Sequence, residues 1–125
     1  MGNKLKTILV VEDEPKLLKA ISDKLTREGF NTLVAKNGEE GVKIALSEKP
    51  DLILLDIIMP VMDGITALNQ IRNDAWGEKV PIMMLTNLSG GVEVAKCLQS
   101  GVHDYLVKSD WTLKDVIKEI NKRLE

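Results

Sequence analysis

The feature that most constrains this chain is an alternation. Five short apolar runs (Ile8–Val11, Thr32–Ala35, Leu52–Leu55, Ile82–Leu85 and Tyr105–Val107) are separated by longer segments whose apolar residues recur at helical spacing. Three of the runs are almost continuously apolar, the pattern of strands covered on both faces. Their shortness, and the Val and Ile content of two of them, favours strand over buried helix. The intervening stripes are Leu17, Ile21 and Leu25; Val42, Ala45 and Leu46; Ile65, Leu68 and Ile71; Val94, Ala95 and Leu98; and Leu113, Val116, Ile117, Ile120 and Leu124. Thr112-Leu113-Lys114-Asp115 reads as a capping box opening the last helix. Gly29 and Gly101 stand where the first and fourth helices should stop. Strand followed by helix, five times over, predicts an α/β fold: a doubly wound, five-stranded parallel sheet with five helices, right-handed crossovers placing helices on both faces. No linker or low-complexity segment interrupts it, so a single domain over 1–125 is expected.

Composition narrows the function. With 125 residues, 44% of them apolar, the chain can bury a real core. No apolar run approaches the roughly 20 residues of a membrane-spanning helix. The start, Met1 to Lys6, lacks the apolar stretch of a signal peptide. The single cysteine, Cys97, can form neither an internal disulfide nor a multi-cysteine zinc site. A cytoplasmic protein without membrane attachment is the expectation. A net charge of −2 and only four aromatic residues argue against direct nucleic-acid binding.

In open parallel sheets, sites form beyond the carboxyl ends of the strands. Those ends carry Glu12 and Asp13 after the first run, Asp56 after the third, Thr86 after the fourth and Lys108 after the fifth. Lys36 and Asn37, after the second, are less telling. Crowded carboxylates repel one another unless a cation joins them. One lysine against three carboxylates leaves room for a divalent ion, and an all-oxygen donor set with no histidine or cysteine cluster suits Mg²⁺ better than zinc. A metal, a lysine, a hydroxyl and a carboxylate together suggest phosphoryl transfer to an aspartate.

With these residues in order, the chain resembles the receiver domains of two-component response regulators over nearly its whole length. The most specific piece is Asp56-Ile57-Ile58-Met59-Pro60-Val61-Met62-Asp63-Gly64. Thr86 lies 30 positions after Asp56, and Lys108 22 after Thr86, both as in the family. The resemblance implies a flavodoxin-like sheet of order 2-1-3-4-5. It implies Asp56 as phosphoacceptor, and Mg²⁺ held by Asp13, Glu12, Asp56 and the backbone carbonyl of Ile58. It implies Lys108 against the acyl-phosphate oxygens, and Thr86 and Tyr105 as the switch pair. Partners would be a sensor histidine kinase or phosphotransfer protein, then an unidentified downstream protein or a second copy of the chain in a homodimer.

Two departures stand out. The family usually has proline after the lysine, often with a cis bond, whereas this chain has Ser109. A non-proline cis bond costs about 2.5–4 kcal/mol, so the bond should be trans, or cis and strained. Ile58 and Leu88 occupy positions that tune dephosphorylation in the family; neither can hydrogen-bond an attacking water, which predicts slow loss of the phosphoryl group. Tyr105 reads equally as an ordinary half-buried aromatic, His103 and Cys97 as surface or packing residues, Trp111 as an anchor for the last helix, and that helix's lysines as a solvated face. Three rivals remain: a receiver-like module working without phosphorylation, an aspartyl-phosphate phosphohydrolase, which usually needs an acid where Ile58 stands, and, more weakly, a flavin-binding domain.

Overall fold

The computed structural model describes residues 5–57, 59–86, 105–107 and 112–124, with Thr86 and residues 105–107 described as backbone alone. In chain order the elements are β1 (Thr7–Val11), α1 (Pro15–Arg27), β2 (Asn31–Ala35), α2 (Gly38–Glu48), β3 (Leu52–Asp56), α3 (Gly64–Arg72), a single 3-10 turn (Trp76–Glu78), β4 (Ile82–Thr86), β5 (Tyr105–Val107) and α4 (Leu113–Leu124). The strands pair in parallel in the order β2-β1-β3-β4-β5, the order the resemblance implies. The helical stripe at Val94, Ala95 and Leu98, with its stop at Gly101, lies outside the described residues.

Continuously apolar strands arise because the sheet separates two cores. Side chains alternate across a strand. Leu9, Val11, Ile53, Leu55, Ile82 and Met84 therefore join the side chains of α2 and α3 on one face. Ile8, Val10, Leu52, Leu54, Met83 and Leu85 join those of α1 and α4 on the other. The strand β2 is more mixed because it stands at the edge of the sheet: Thr32 and Leu33 are half-buried and Val34 is exposed.

The helices follow the stripes with small rotations. In α1 the buried residues are Leu18, Ile21 and Leu25, and Leu17, the first residue of the expected stripe, is partly buried and packs against that core. A spacing of three then four follows the 3.6-residue turn more closely than a strict four. Gly29 adopts a positive φ of 94° just after α1, where an L side chain would be strained, and Phe30 N donates to Leu25 O at 3.1 Å. The capping box is formed: Asp115 N donates to Thr112 Oγ1 (3.2 Å) and Thr112 N to Asp115 Oδ2 (2.9 Å). The turn between α3 and β4 is closed by Arg72, whose guanidinium donates to Gly77 O (2.8 Å) and Val80 O (2.7 Å). Burial pushes its pKa below the ordinary arginine value but leaves it charged at neutral pH.

Candidate functional site

Strand register builds the site. Val11 pairs with Leu55, so Glu12, the residue after β1, stands level with Asp56, the last of β3. Glu12 is held from both sides: its N–H donates to Ala35 O at 3.0 Å, and its Oε2 accepts from Glu14 N at 3.0 Å at the entrance to α1. Among the described residues the backbone N–H at that helix entry goes to Glu12, and Asp13 is an exposed carboxylate.

One carboxylate oxygen from each of Glu12, Asp13 and Asp56 lies within 4.8 Å of the others. Glu12 is fully buried, and Asp56 is 4% exposed. Two of the carboxylates are thus buried and one lies at the surface. Bringing three such charges together is unfavourable without a cation. Three hard oxygen donors with no imidazole or thiolate among them fit a hard divalent ion. The cluster can hold a metal ion.

The local fold separates the motif's two aspartates. Asp63 is an ordinary helix cap, its carboxylate accepting from Thr66 N (2.8 Å) and Thr66 Oγ1 (3.1 Å) at the start of α3. Asp56 is buried at a strand end instead. The backbone beside Asp56 is clamped: Ile57 N donates to Leu85 O at 3.2 Å, and Gly64 N to Ile57 O at 2.7 Å. Position 64 must be glycine, because a Cβ there would overlap the Asp56 carbonyl oxygen and sit 2.8 Å from its carbon.

Between these clamps the chain makes a tight turn centred on Val61. Met62 N donates to Pro60 O at 2.7 Å, a two-residue hydrogen bond, and Val61 has a φ of 69°. Positive-φ γ-turns are rare and strained, more so for a β-branched residue. Gly38 N, at the start of α2, holds the far side by donating to Met62 O at 3.0 Å. Val61 is 75% exposed and so gains little from burial. Val61→Asn, which tolerates this conformation, should therefore stabilise the fold by about 1 kcal/mol. Denaturant unfolding of the two proteins checks it; an unchanged or lower midpoint would show that the turn is not strained.

The structure brings together Glu12, Asp13 and Asp56. Thr86 ends β4 with its backbone in register with Val107, and Tyr105 opens β5 in register with Met84. The side chains of Thr86 and Tyr105, and the whole of Ile58, Leu88, Cys97, His103, Lys108, Ser109 and Trp111, lie outside what is described. Sequence reading missed four contributors around the site. Asn37 caps α2 by accepting from Glu40 N at 2.9 Å; an Asn followed three residues later by Glu could have been read as that cap. Asp63 was visible only as part of the motif. Gly38, whose absent Cβ lets α2 approach Met62, and Val61, in a conformation its side chain disfavours, left no signal in the sequence.

The response regulator receiver domain model matches residues 8–121. The chain belongs to that family. It is 37% identical to the DNA-binding response regulator MtrA of Mycolicibacterium smegmatis over 94% of this chain and 50% of MtrA. It is 35% identical to Protein PilH of Pseudomonas aeruginosa over 81% of this chain and 84% of PilH. The chain spans between 31% and 50% of the length of MtrA and several other curated relatives that it matches. Among solved structures it is similar to the receiver domain of the sensor histidine kinase PA1611 from Pseudomonas aeruginosa, described with a magnesium ion coordinated in its active site cleft (TM-score 0.88, 30% identity, 97% of this chain and 98% of that one). The chain is thus a receiver domain of two-component signalling with a flavodoxin-like parallel α/β sheet. No helix among the described residues is long and apolar enough to cross a membrane.

Proposed function

We propose that Asp56 is the phosphoacceptor of this receiver domain. A carboxylate oxygen of Asp56 attacks the donor's phosphorus. The bond from phosphorus to the donor nitrogen or acyl oxygen breaks, its electron pair leaves with the donor, and an acyl phosphate remains on the protein. The observation that carries the reading is the oxygen cluster of Glu12, Asp13 and Asp56, with Asp56 buried at the strand end.

Asp13 and Asp56, helped by Glu12 and the backbone carbonyl of Ile58, would hold Mg²⁺, which when bound neutralises the phosphoryl oxygens. Lys108 directly follows Val107, whose register partner is Thr86. Chain continuity therefore supports both Lys108 and Thr86 as groups facing the phosphoryl oxygens, and Thr86 and Tyr105 as the elements that report the modification. The donor would be a histidine kinase or phosphotransfer protein, and the readout a downstream protein or a second copy of the chain. A fifth helix around Val94 to Leu98, a single domain over 1–125, cytoplasmic placement and no turnover of an external substrate complete the proposal.

Incubation with acetyl phosphate should give a single phosphoryl adduct by intact mass with Mg²⁺ present and none after chelation. Adduct formation indifferent to Mg²⁺, or none at all, would overturn the reading. Once formed, the adduct should decay slowly, because Ile58 and Leu88 cannot orient a water. Replacing both with polar residues (Ile58→Asn, Leu88→Glu) should speed decay about tenfold or more, followed by the loss of adduct mass with time. An unchanged lifetime would show that these positions do not limit water attack.

A further inference from the structure

Away from the acidic cluster, α1 and α4 enclose a groove of about 460 Å³ lined by Lys24, Glu28, Lys114, Ile117, Lys118 and Asn121. Ile117 is buried and gives it an apolar floor. The acidic residues of α4 are already engaged. Asp115 is committed to the capping box with Thr112, and Glu119 is paired with Arg123 at 3.8 Å. On α1, Lys24 is paired with Glu28 at 3.3 Å. Lys114 and Lys118 line the groove one turn apart, and Lys122 continues their row along α4. All three are exposed, and none has an ion pair with a described residue. Among the described residues, a chain with a net charge of −2 thus gathers along one apolar-floored groove a row of lysines without ion-pair partners.

We propose that this groove is a docking site for an acidic, amphipathic peptide segment of a protein partner. An apolar residue of that segment would rest on Ile117, and carboxylates four residues apart would meet Lys114 and Lys118, which share the same helical spacing. Asn121 offers an amide to the segment's polar edge. Extended polyanions fit less well: a nucleic acid or an anionic membrane surface would spread over a broad area of a protein that is negative overall. The groove matches a compact ligand bearing a few charges. Steering by the lysines makes binding sensitive to salt.

The probe is a set of fluorescein-labelled synthetic helical peptides with Glu and Leu at matching spacing, followed by anisotropy and by amide chemical shifts of the labelled protein. Binding is expected to shift resonances of α1 and α4 and to weaken as salt rises. Lys114→Glu with Lys118→Glu should weaken it about tenfold or more. The same change in charge placed elsewhere, Lys43→Glu with Lys79→Glu, should not. Both pairs replace exposed residues, and circular dichroism confirms that each variant folds. No binding by any peptide in the set would overturn the proposal. So would equal weakening by the two variants, shifts confined to the acidic cluster, or tighter binding to single-stranded DNA or phosphatidylserine vesicles than to the peptides.

Discussion

Asp56→Asn should take up no phosphoryl group from acetyl phosphate while folding as the parent does. The amide is close in size to the carboxylate, so the buried strand end keeps its packing, but its oxygen is a far weaker nucleophile. The rate should fall at least about a thousandfold, a barrier increase of about 4 kcal/mol. Because the substitution removes one of three crowded negative charges, the metal-free melting temperature should not fall. Asp63→Asn is the informative companion. Asn caps a helix about as well as Asp, and among the described residues the Asp63 carboxylate holds only Thr66, so its uptake should match the parent. A mass time course of the three proteins, beside their thermal melts, checks both statements. Residual uptake by Asp56→Asn near the parental rate would move the acceptor elsewhere.

Gly64→Ala should be among the most damaging single-methyl additions in the chain. Its new Cβ would overlap the Asp56 carbonyl oxygen and crowd the Asp56 carbon at 2.8 Å and Ile57 Cα at 2.9 Å. These are backbone atoms, and no flexible side chain can move aside. The Gly64 N–H to Ile57 O bond of 2.7 Å ties the same two segments together, so relief requires parting α3 from β3. A loss of about 2–3 kcal/mol is expected, with a melting temperature lower by roughly 10 °C. Because the atoms displaced belong to Asp56, phosphoryl uptake should fall as well, even at temperatures where the variant is fully folded. Calorimetry and a mass time course on the same sample separate the two effects. A variant as stable as the parent would mean that the close approach of α3 to β3 is not required.

The fold was legible because β1, β3 and β4 are short and apolar at nearly every position, the pattern of a sheet covered on both faces. The two cores built from alternate residues of Ile8–Val11 and Leu52–Leu55 are the physical origin of that pattern. The acidic cluster was legible for a related reason: parallel strands in register deliver their next residues to one rim, which chain order alone predicts for Glu12 and Asp56, while the strand order implied by the family resemblance set them on neighbouring strands. What escaped depends on backbone conformation and close approach. The turn at Val61 contradicts the preference of its own side chain. The need for glycine at positions 38 and 64 comes from segments distant in sequence. The rotation of α1 that buries Leu18 rather than Leu17 is a fraction of a turn, finer than a count of apolar spacings resolves.

The central claim is that the carboxylate at the end of β3 becomes an acyl phosphate. Borohydride reduces an acyl phosphate to an alcohol and leaves ordinary carboxylates alone, so the phosphorylated residue can be read directly by peptide mass. After treatment with acetyl phosphate and Mg²⁺ and then borohydride, position 56 should appear as homoserine, and Glu12, Asp13 and Asp63 should be unchanged. Homoserine at another aspartate, a stable phosphoryl group on His103, or an unmodified Asp56 in protein that carries the adduct would contradict the account.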